Sequence, residues 1–511
     1  MGADKGIKVT HFDGHGRGLD SKYASLGRKA TMKTFWRCMI FCMIANWAAL
    51  NDGFQQQLPG NVIPMPAFVK TMADTVVDGE PTISARVISF WGGFGTIAQL
   101  VGQAVGGPMS DRLGRRTSMY IFVVLFLLGS SLEISAQGWK SWMGAQVVLK
   151  MAIGTAQSVL IVFVGEIAPF QVRGVALAAY QLFLAFGQLV GSIASQIMVV
   201  TRPNAWRPLI ASEFLFTGVL ILMLPFMPES HMYYVRKGDH EKAKRSMARL
   251  YGTPKDYDVD HEYRVVQQTY EAELEFSRQA ANVSWLEIFQ GQNLRRTIAG
   301  ALGICDQPLS GTPIIFTYST YFFAVSGLQD PFLTTVIVYI ILLVFIAVAM
   351  ALTEAVGRRP LFLGGGVAML VFNVALAVTG SFSTPAAGHA ALAFLLLWVV
   401  AYSLSAGPLG FVAAGETATP RLRGKTTSFS FFCYSALNVV FTYTIPYLIS
   451  PTSANLGVKT AYLFAGLLLP TVIGLYFLYP ETTGRTWAEL DELYKRGVPA
   501  RRFKSTTIET E

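Results

Sequence analysis

Polar side chains that lipid would not tolerate recur inside the long apolar runs of this 511-residue chain. In the first half they are Asp52, Gln55, Gln56 and Gln57, then Gln146, Lys150, Gln157 and Glu166, then Gln181 and Gln188. In the second half they are Asp306, Gln307 and Ser310, with Tyr318 and Tyr321 beyond, and later Glu416, Tyr434 and Asn438. A side-chain amide offers two donors and an acceptor with two lone pairs, the pattern that neighbouring hydroxyls answer. Aromatic faces suit the C–H faces of a sugar ring, and a carboxyl shielded from water can carry a proton. The chemistry on offer is therefore recognition of a neutral, polyhydroxylated solute beside a titratable group, although any one buried Gln could equally be glue between helices. No Ser, His or Asp has a partner at a catalytic spacing, no Cys and His set could hold a metal, and no Gly-rich loop leads to a phosphate-binding Lys. Neither an enzyme, a cofactor nor a metal is expected.

The elements that must position these residues are membrane spans. Hydrophobic residues make up 52% of the chain and charged ones 14%, against roughly 25% charged in soluble domains. Runs of about 20 apolar residues predict spans at 36–57, 87–108, 117–136, 141–165, 174–199 and 206–227, then at 297–323, 332–353, 360–381, 386–413, 426–449 and 460–479. The expected organisation is a tail over 1–33, a six-helix bundle over 34–228, a polar helical linker over 229–296, a second bundle over 297–480 and a tail over 481–511. An even number of spans puts both tails on one side, and that side collects 34 of the 41 Lys and Arg residues, which predicts cytoplasmic termini. The net charge of +9 reflects this bias and is not a nucleic-acid footprint. Residues 1–33 lack an apolar core, so no cleavable signal peptide is expected. Cys38, Cys42, Cys305 and Cys433 all fall inside predicted helices and should not form a disulfide framework.

One motif occurs twice, in the same place within each half: Asp111-Arg112-Leu113-Gly114-Arg115-Arg116 and Glu354-Ala355-Val356-Gly357-Arg358-Arg359. An acid followed by a Gly-Arg-Arg turn lets guanidinium groups clamp carboxylates and helix C-terminal carbonyls at a membrane surface. Further short strings follow in order: Gly165-Glu166-Ile167-Ala168-Pro169 with Arg173-Gly174, Pro228-Glu229-Ser230, Gly415-Glu416 with Arg421-Leu422-Arg423-Gly424, and Pro480-Glu481-Thr482-Thr483-Gly484-Arg485.

This ordered set resembles the sugar porters of the major facilitator superfamily over about residues 34–503. The resemblance implies an all-α integral membrane protein, with twelve transmembrane helices in two pseudo-symmetric six-helix bundles joined by a cytoplasmic helical linker. It implies a monomeric alternating-access carrier in the lipid bilayer of a plasma membrane, with a sugar and possible proton symport as its partners. Tyr318-Ser319-Thr320-Tyr321-Phe322-Phe323 and the tail through Val498-Pro499-Ala500-Arg501 resemble the fungal α-glucoside permeases, which implies a disaccharide or oligosaccharide substrate. A polyol, a hexose or quinate is the alternative cargo, and a non-transporting nutrient sensor is the alternative class.

By the same resemblance Gln181, Gln307 and Asn438 are sugar ligands, joined by Tyr318, Tyr434, Gln188 and Phe411. Asp111, Arg112, Arg116, Glu166 and Arg173, and Glu354, Arg358, Arg359, Glu416 and Arg423, form charged networks that latch the inner side. The departures are specific. Pro308 and Pro313 replace an amide pair member and an Asn of span seven, Gly410-Phe411 replaces Pro-Trp, and Gln55 and Gln146 stand where proton-coupled relatives pair an Asp with an Arg. The proton candidates left are Asp52, Asp306 and Lys150.

Overall fold

The computed structural model describes residues 21–506 apart from positions 24, 78, 253–256, 282–283, 328–329, 383, 484, 486 and 505. The first half contains α1 (Trp36–Val62), α2 (Ala85–Leu113), α3 (Arg115–Ser135), α4 (Trp139–Ile167), α5 (Phe170–Thr201) and α6, in two pieces (Arg207–Ala211 and Glu213–Met223). The second half contains α7, in two pieces (Gly291–Ser310 and Ser319–Val325), α8 (Pro331–Val356), α9 (Arg358–Thr379), α10, also in two (Pro385–Leu404 and Ala406–Glu416), α11 (Arg423–Ile449) and α12 (Ala461–Leu478). Six helices lie on either side of the linker. Nine helices among the described residues are long and apolar enough to cross a membrane. The three spans below that threshold are the amide-rich α1, the Gly-rich α2 and the interrupted α7.

Helices pack closely where glycine lets backbones meet. A Cβ on Gly53 of α1 would lie 2.0 Å from the Leu184 carbonyl oxygen of α5, and one on Gly154 of α4 would lie 1.9 Å from that of Gln99 on α2. Such small-residue contacts supply the packing that lipid, as apolar as Leu, cannot drive.

The spans expected at 206–227, 297–323 and 386–413 are not single helices. In α7 the chain leaves helical geometry at Gly311 (φ 106°) and resumes through a wide turn in which Tyr318 N–H donates to the Pro313 carbonyl at 3.2 Å. Pro308 and Pro313 each lack the N–H a regular helix needs, and Pro308 already lies in the last turn before the break. In α10 the break falls at Ser405 (φ −128°, ψ −94°).

The linker folds as helices His231–Lys237, His240–Tyr251 and Val259–Ala281. Val235, Ala243, Met247 and Tyr263 form its own small core. The described N-terminal end joins it, with Lys22 N–H donating to Glu262 at 3.1 Å, and at the C-terminal end Asp491 of the helix Trp487–Lys495 pairs with Arg296 at the start of α7 at 2.9 Å. The expected tail over 1–33 lies largely outside the described residues. His231 is buried beside Tyr251, and burial, with Arg173 nearby, pushes its pKa down to about 4. The stability its neutral ring supports is intact above pH about 6.5 and is lost as pH falls toward 4. All four cysteines are free thiols.

The two halves close on each other at the face opposite the linker. There the Thr96 and Thr442 hydroxyls meet at 3.1 Å, Thr320 O–H donates to Asn61 Oδ1, and Tyr318, whose O–H donates to the Thr442 carbonyl of its own half at 2.8 Å, lies so near α2 that a Cβ on Gly92 would sit 2.1 Å from its hydroxyl. Gly60 lies so near α7 that a Cβ would sit 2.5 Å from the Thr317 carbonyl oxygen. Toward the linker face, Gly165, Gly174, Gly415 and Gly424 have nothing within 4 Å of a built Cβ. The structure is closed on the far face by these contacts between the halves.

Two outcomes are expected. Gly60→Val should hold the far face open, so that a cysteine placed by Thr320→Cys reacts with a membrane-impermeant thiol reagent several-fold faster; unchanged labelling would move the closure elsewhere. Tryptophan fluorescence or limited proteolysis should register linker detachment between pH 6 and 4 in the native chain and not in His231→Phe.

Candidate functional site

Each half carries the same clamp at the linker face. Gly114 (φ 95°) turns the chain from α2 into α3, and the exposed N–H groups of Arg115 and Arg116 point at one carboxylate, Glu229, at 2.8 and 3.1 Å. A Cβ on Gly114 would lie 2.4 Å from Glu229 Oε2, so both the backbone angle and the carboxylate require glycine here. Ser230 O–H, next along, donates to Glu166 at the end of α4, and Arg115 pairs with Glu166 and Asp111, each at 2.8 Å. In the second half Gly357 (φ 100°) makes the turn, and Glu481 accepts from the N–H groups of Arg358 and Arg359 at 3.1 and 3.2 Å. Thr482 O–H donates to Glu416 at 2.8 Å, and Arg358 pairs with Glu416. An anion on the first turn of a helix meets unpaired N–H groups and the positive end of the dipole.

The clamp corrects the expected roles. Arg115, fully buried, pairs with the acids in place of Arg112, which is exposed. Arg116 and Arg359 donate to the Pro225 and Tyr476 carbonyls at 3.0 and 2.6 Å rather than to carboxylates. Arg173 is exposed and forms no ion pair with Glu166, whose second cation is Arg236 of the linker at 3.0 Å. The Glu354 side chain lies outside the described residues. Arg423 is exposed at the start of α11.

Inside the first half, two polar clusters sit one above the other. In the deeper one, Asp52 Oδ2 accepts from Tyr180 O–H at 2.6 Å and Gln157 at 2.8 Å, while Oδ1 accepts from Gln56 at 2.9 Å. Gln99 and Gln103 of α2 donate to Gln157 at 3.1 and 2.6 Å. Nearer the far face, Glu133 of α3 accepts from Gln55 at 2.9 Å and from Gln146, and Glu213 of α6 accepts from Ser130 O–H at 2.8 Å. Lys150 forms no ion pair within 4.0 Å among the described residues, though its charge acts on Asp52, Glu133 and Glu213 alike. Glu133 and Glu213 were missed because each lies near the end of a predicted span, where a carboxylate ordinarily reads as interfacial.

Among the residues expected to hold sugar, only Asn438 and Tyr434, one turn apart on α11, are joined by a hydrogen bond among the described residues. Gln307 donates both amide hydrogens to the Ala406 and Gly407 carbonyls at the break in α10, at 3.0 and 3.1 Å. A Cβ on Gly410 would lie 2.8 Å from the Gln307 amide nitrogen, so the departure to glycine is what lets this amide seat there. Asn438 donates to the Tyr434 carbonyl of its own helix at 3.0 Å. Tyr318 has its hydroxyl committed to the Thr442 carbonyl and packed against Gly92 of α2. Phe411 lies beside Phe431 and Tyr434, with ring centroids 5.9 and 6.3 Å away. Gln181 is half-buried and makes no hydrogen bond among the described residues, while Gln188 is buried with its Oε1 unpartnered. Asp306 is fully buried on α7 and neither of its carboxyl oxygens has a hydrogen-bond partner.

A family model described as "Sugar (and other) transporter" matches residues 41–494. The chain is 28% identical, over 89% of its length, to the MFS transporter fmqE of Aspergillus fumigatus, of which it covers 86%. It is 28% identical, over 87% of its length, to the high glucose sensor RGT2 of Saccharomyces cerevisiae, but spans only 59% of that protein. Among solved structures, the inward open conformation of the xylose transporter XylE from E. coli matches with a TM-score of 0.73 at 20% identity, covering 89% of this chain and 99% of that one.

Removing Arg115 leaves Glu166 buried with only the half-exposed Arg236. Arg115→Ala should therefore lower stability by about 3 kcal/mol, read as thermal unfolding in detergent, whereas Arg112→Ala should change it by less than about 0.5 kcal/mol. Equal effects would reassign the clamp.

Proposed function

The chain belongs to the sugar (and other) transporter family and is a multi-pass membrane sugar transporter of the major facilitator type, and we propose that it carries a neutral monosaccharide across the plasma membrane by alternating access. The linker face is cytoplasmic in this reading, in keeping with its share of Lys and Arg. The observation that carries the proposal is the set of unengaged amide groups in α5: among the described residues Gln181 makes no hydrogen bond, and the buried Oε1 of Gln188 has no partner. A sugar hydroxyl that donates to one and accepts from the other satisfies groups the protein itself leaves open. Gln307 contributes only its side-chain oxygen, since both its amide hydrogens go to backbone carbonyls, while Asn438, with one donated bond, offers its oxygen and its second amide hydrogen.

A monosaccharide is favoured over the α-glucoside disaccharide. The string around Tyr318 that suggested the larger sugar has another use here, since Thr320 bonds Asn61 across the far face and Tyr318 packs against Gly92 of α2. The names of the xylose transporter and the glucose sensor also point to single-ring sugars. Coupling to protons is part of the proposal, because several carboxyls are buried in the bundles without a paired cation.

Counterflow of labelled sugar in proteoliposomes tests the reading. Glucose or xylose should exchange, and maltose should not; exchange of maltose at the same rate would restore the disaccharide, and no exchange of any sugar would leave a sensor. Gln181→Ala should weaken apparent affinity by about 1–3 kcal/mol, roughly five- to hundredfold, with normal amounts of protein in the membrane. Unchanged affinity would remove Gln181 from the site.

A further inference from the structure

We infer that Glu133 and Glu213 together form the proton-binding site of this carrier, an amide-cradled carboxyl pair that must hold a proton before the far face can close. The inference rests on the transport reading above and assigns its coupling ion to named groups.

The geometry comes first. Glu133 and Glu213 are 0% and 1% exposed, and each uses one carboxyl oxygen only. Glu133 Oε1 accepts from Gln55 of α1 and Gln146 of α4, and Glu213 Oε2 accepts from Ser130. The other oxygens, Glu133 Oε2 and Glu213 Oε1, are buried without a hydrogen-bond partner. Ser130 and Glu133 are three residues apart on α3, hence on one face of the helix, so the carboxyl held by Ser130 lies beside Glu133, close enough for the two charges to act on each other. Two carboxylates sharing a site walled off from water cannot both stay ionised. One proton lowers that repulsion and gives an orphaned oxygen a hydrogen to donate.

The cradle is made of amides, and that choice matters. A guanidinium in place of Gln55 or Gln146 would lock the ionised form by charge. An amide N–H donates to a carboxylate oxygen and to the carbonyl oxygen of a carboxylic acid alike, so Glu133 can gain or lose its proton without losing either contact. The groups facing this pair from the surrounding helices are Asp52 on α1, Lys150 on α4 and, through Asp52, Tyr180 on α5, while α2 presents Gln99 and Gln103 at the level of Asp52. Three carboxyls thus share one ammonium. Asp52 already has three donors, so among the first-half carboxyls around Lys150 it is Glu133 and Glu213 that are left in need of a proton.

The link to gating runs along α1. Gln55, bonded to Glu133, stands two residues from Gln57, which donates to Asn61 at 2.8 Å. Asn61 donates to Ser195 of α5 at 2.7 Å and accepts from Thr320 of α7 across the closed far face. Closing the far face seats α1 against α7 and seals the pair from that side. Sealing two ionised carboxyls away from water costs more than sealing one ionised and one protonated, so a proton taken from the far side biases the carrier toward closure.

The experiment uses the full chain in proteoliposomes with an internal pH dye. In the native protein, glucose added outside should acidify the lumen, and apparent sugar affinity should fall by up to about tenfold per pH unit above the range where the pair holds its proton. Glu133→Gln and Glu213→Gln should each abolish sugar-driven proton movement and flatten the pH profile while retaining measurable counterflow; Glu133→Asp, which keeps the carboxyl, should restore part of the proton signal. Asp52→Asn should still move protons. Proton movement at native rates in Glu133→Gln, or its loss in Asp52→Asn alone, would overturn the assignment. Native counterflow without proton movement would overturn it while leaving the transport reading standing, whereas absence of native counterflow would sink the transport reading itself.

Discussion

A carboxylate seated on the first turn of the next helix is the contact on which the linker face of both halves depends. Glu229 and Glu481 each fill the N-terminal N–H groups of the helix that follows a Gly-Arg-Arg turn. Each is followed by a hydroxyl residue that reaches the acid closing the fourth helix of its half, Glu166 or Glu416. Three chain segments distant in sequence are thereby tied at one point, twice. The glycine is as necessary as the acid, because only a residue without Cβ turns at positive φ and admits the carboxylate. An additional tie enters in the first half, where Arg236 carries the linker onto Glu166 and Asp111.

Away from that face, the constraint is the lack of water. Amides in the first half are arranged around carboxyls, with Gln157 and Gln56 on Asp52 and Gln55 and Gln146 on Glu133. In the second half Gln307 is turned onto backbone carbonyls exposed by the break in α10. The same residue type therefore does different work in the two bundles: it holds acids in one and repairs an interrupted helix in the other. That asymmetry leaves α5 as the wall with amide groups still to satisfy.

Much of this architecture was legible in the sequence, because apolar runs of span length and a repeated charged turn are strong, local signals. Helix count, the linker and the duplication follow from them. Partner choice was not legible. Arg112 and Arg115 are equally basic and three residues apart, and only the fold shows that Arg115 points inward while Arg112 meets solvent. Gln307 and Asn438 were recognisable as polar residues inside spans, but the sequence does not reveal that a neighbouring helix would break and offer carbonyls to one of them, or that the other would fold back on its own turn. Glu133 lay two residues from the end of α3, and its burial arises from α1, α4 and α6 converging there, a tertiary fact with no local trace.

The interruption of α7 has a mechanical consequence. Its two pieces share no continuous ladder of backbone bonds across Gly311 to Tyr318, so the short outer piece, Ser319–Val325, can pivot while the inner piece stays packed against α10, α11 and α12. Because the outer piece carries the hydroxyl that meets Asn61, moving this seven-residue piece alone would part that contact. The hinge confines the moving mass to a few residues and spares the rest of the bundle from having to shift with them.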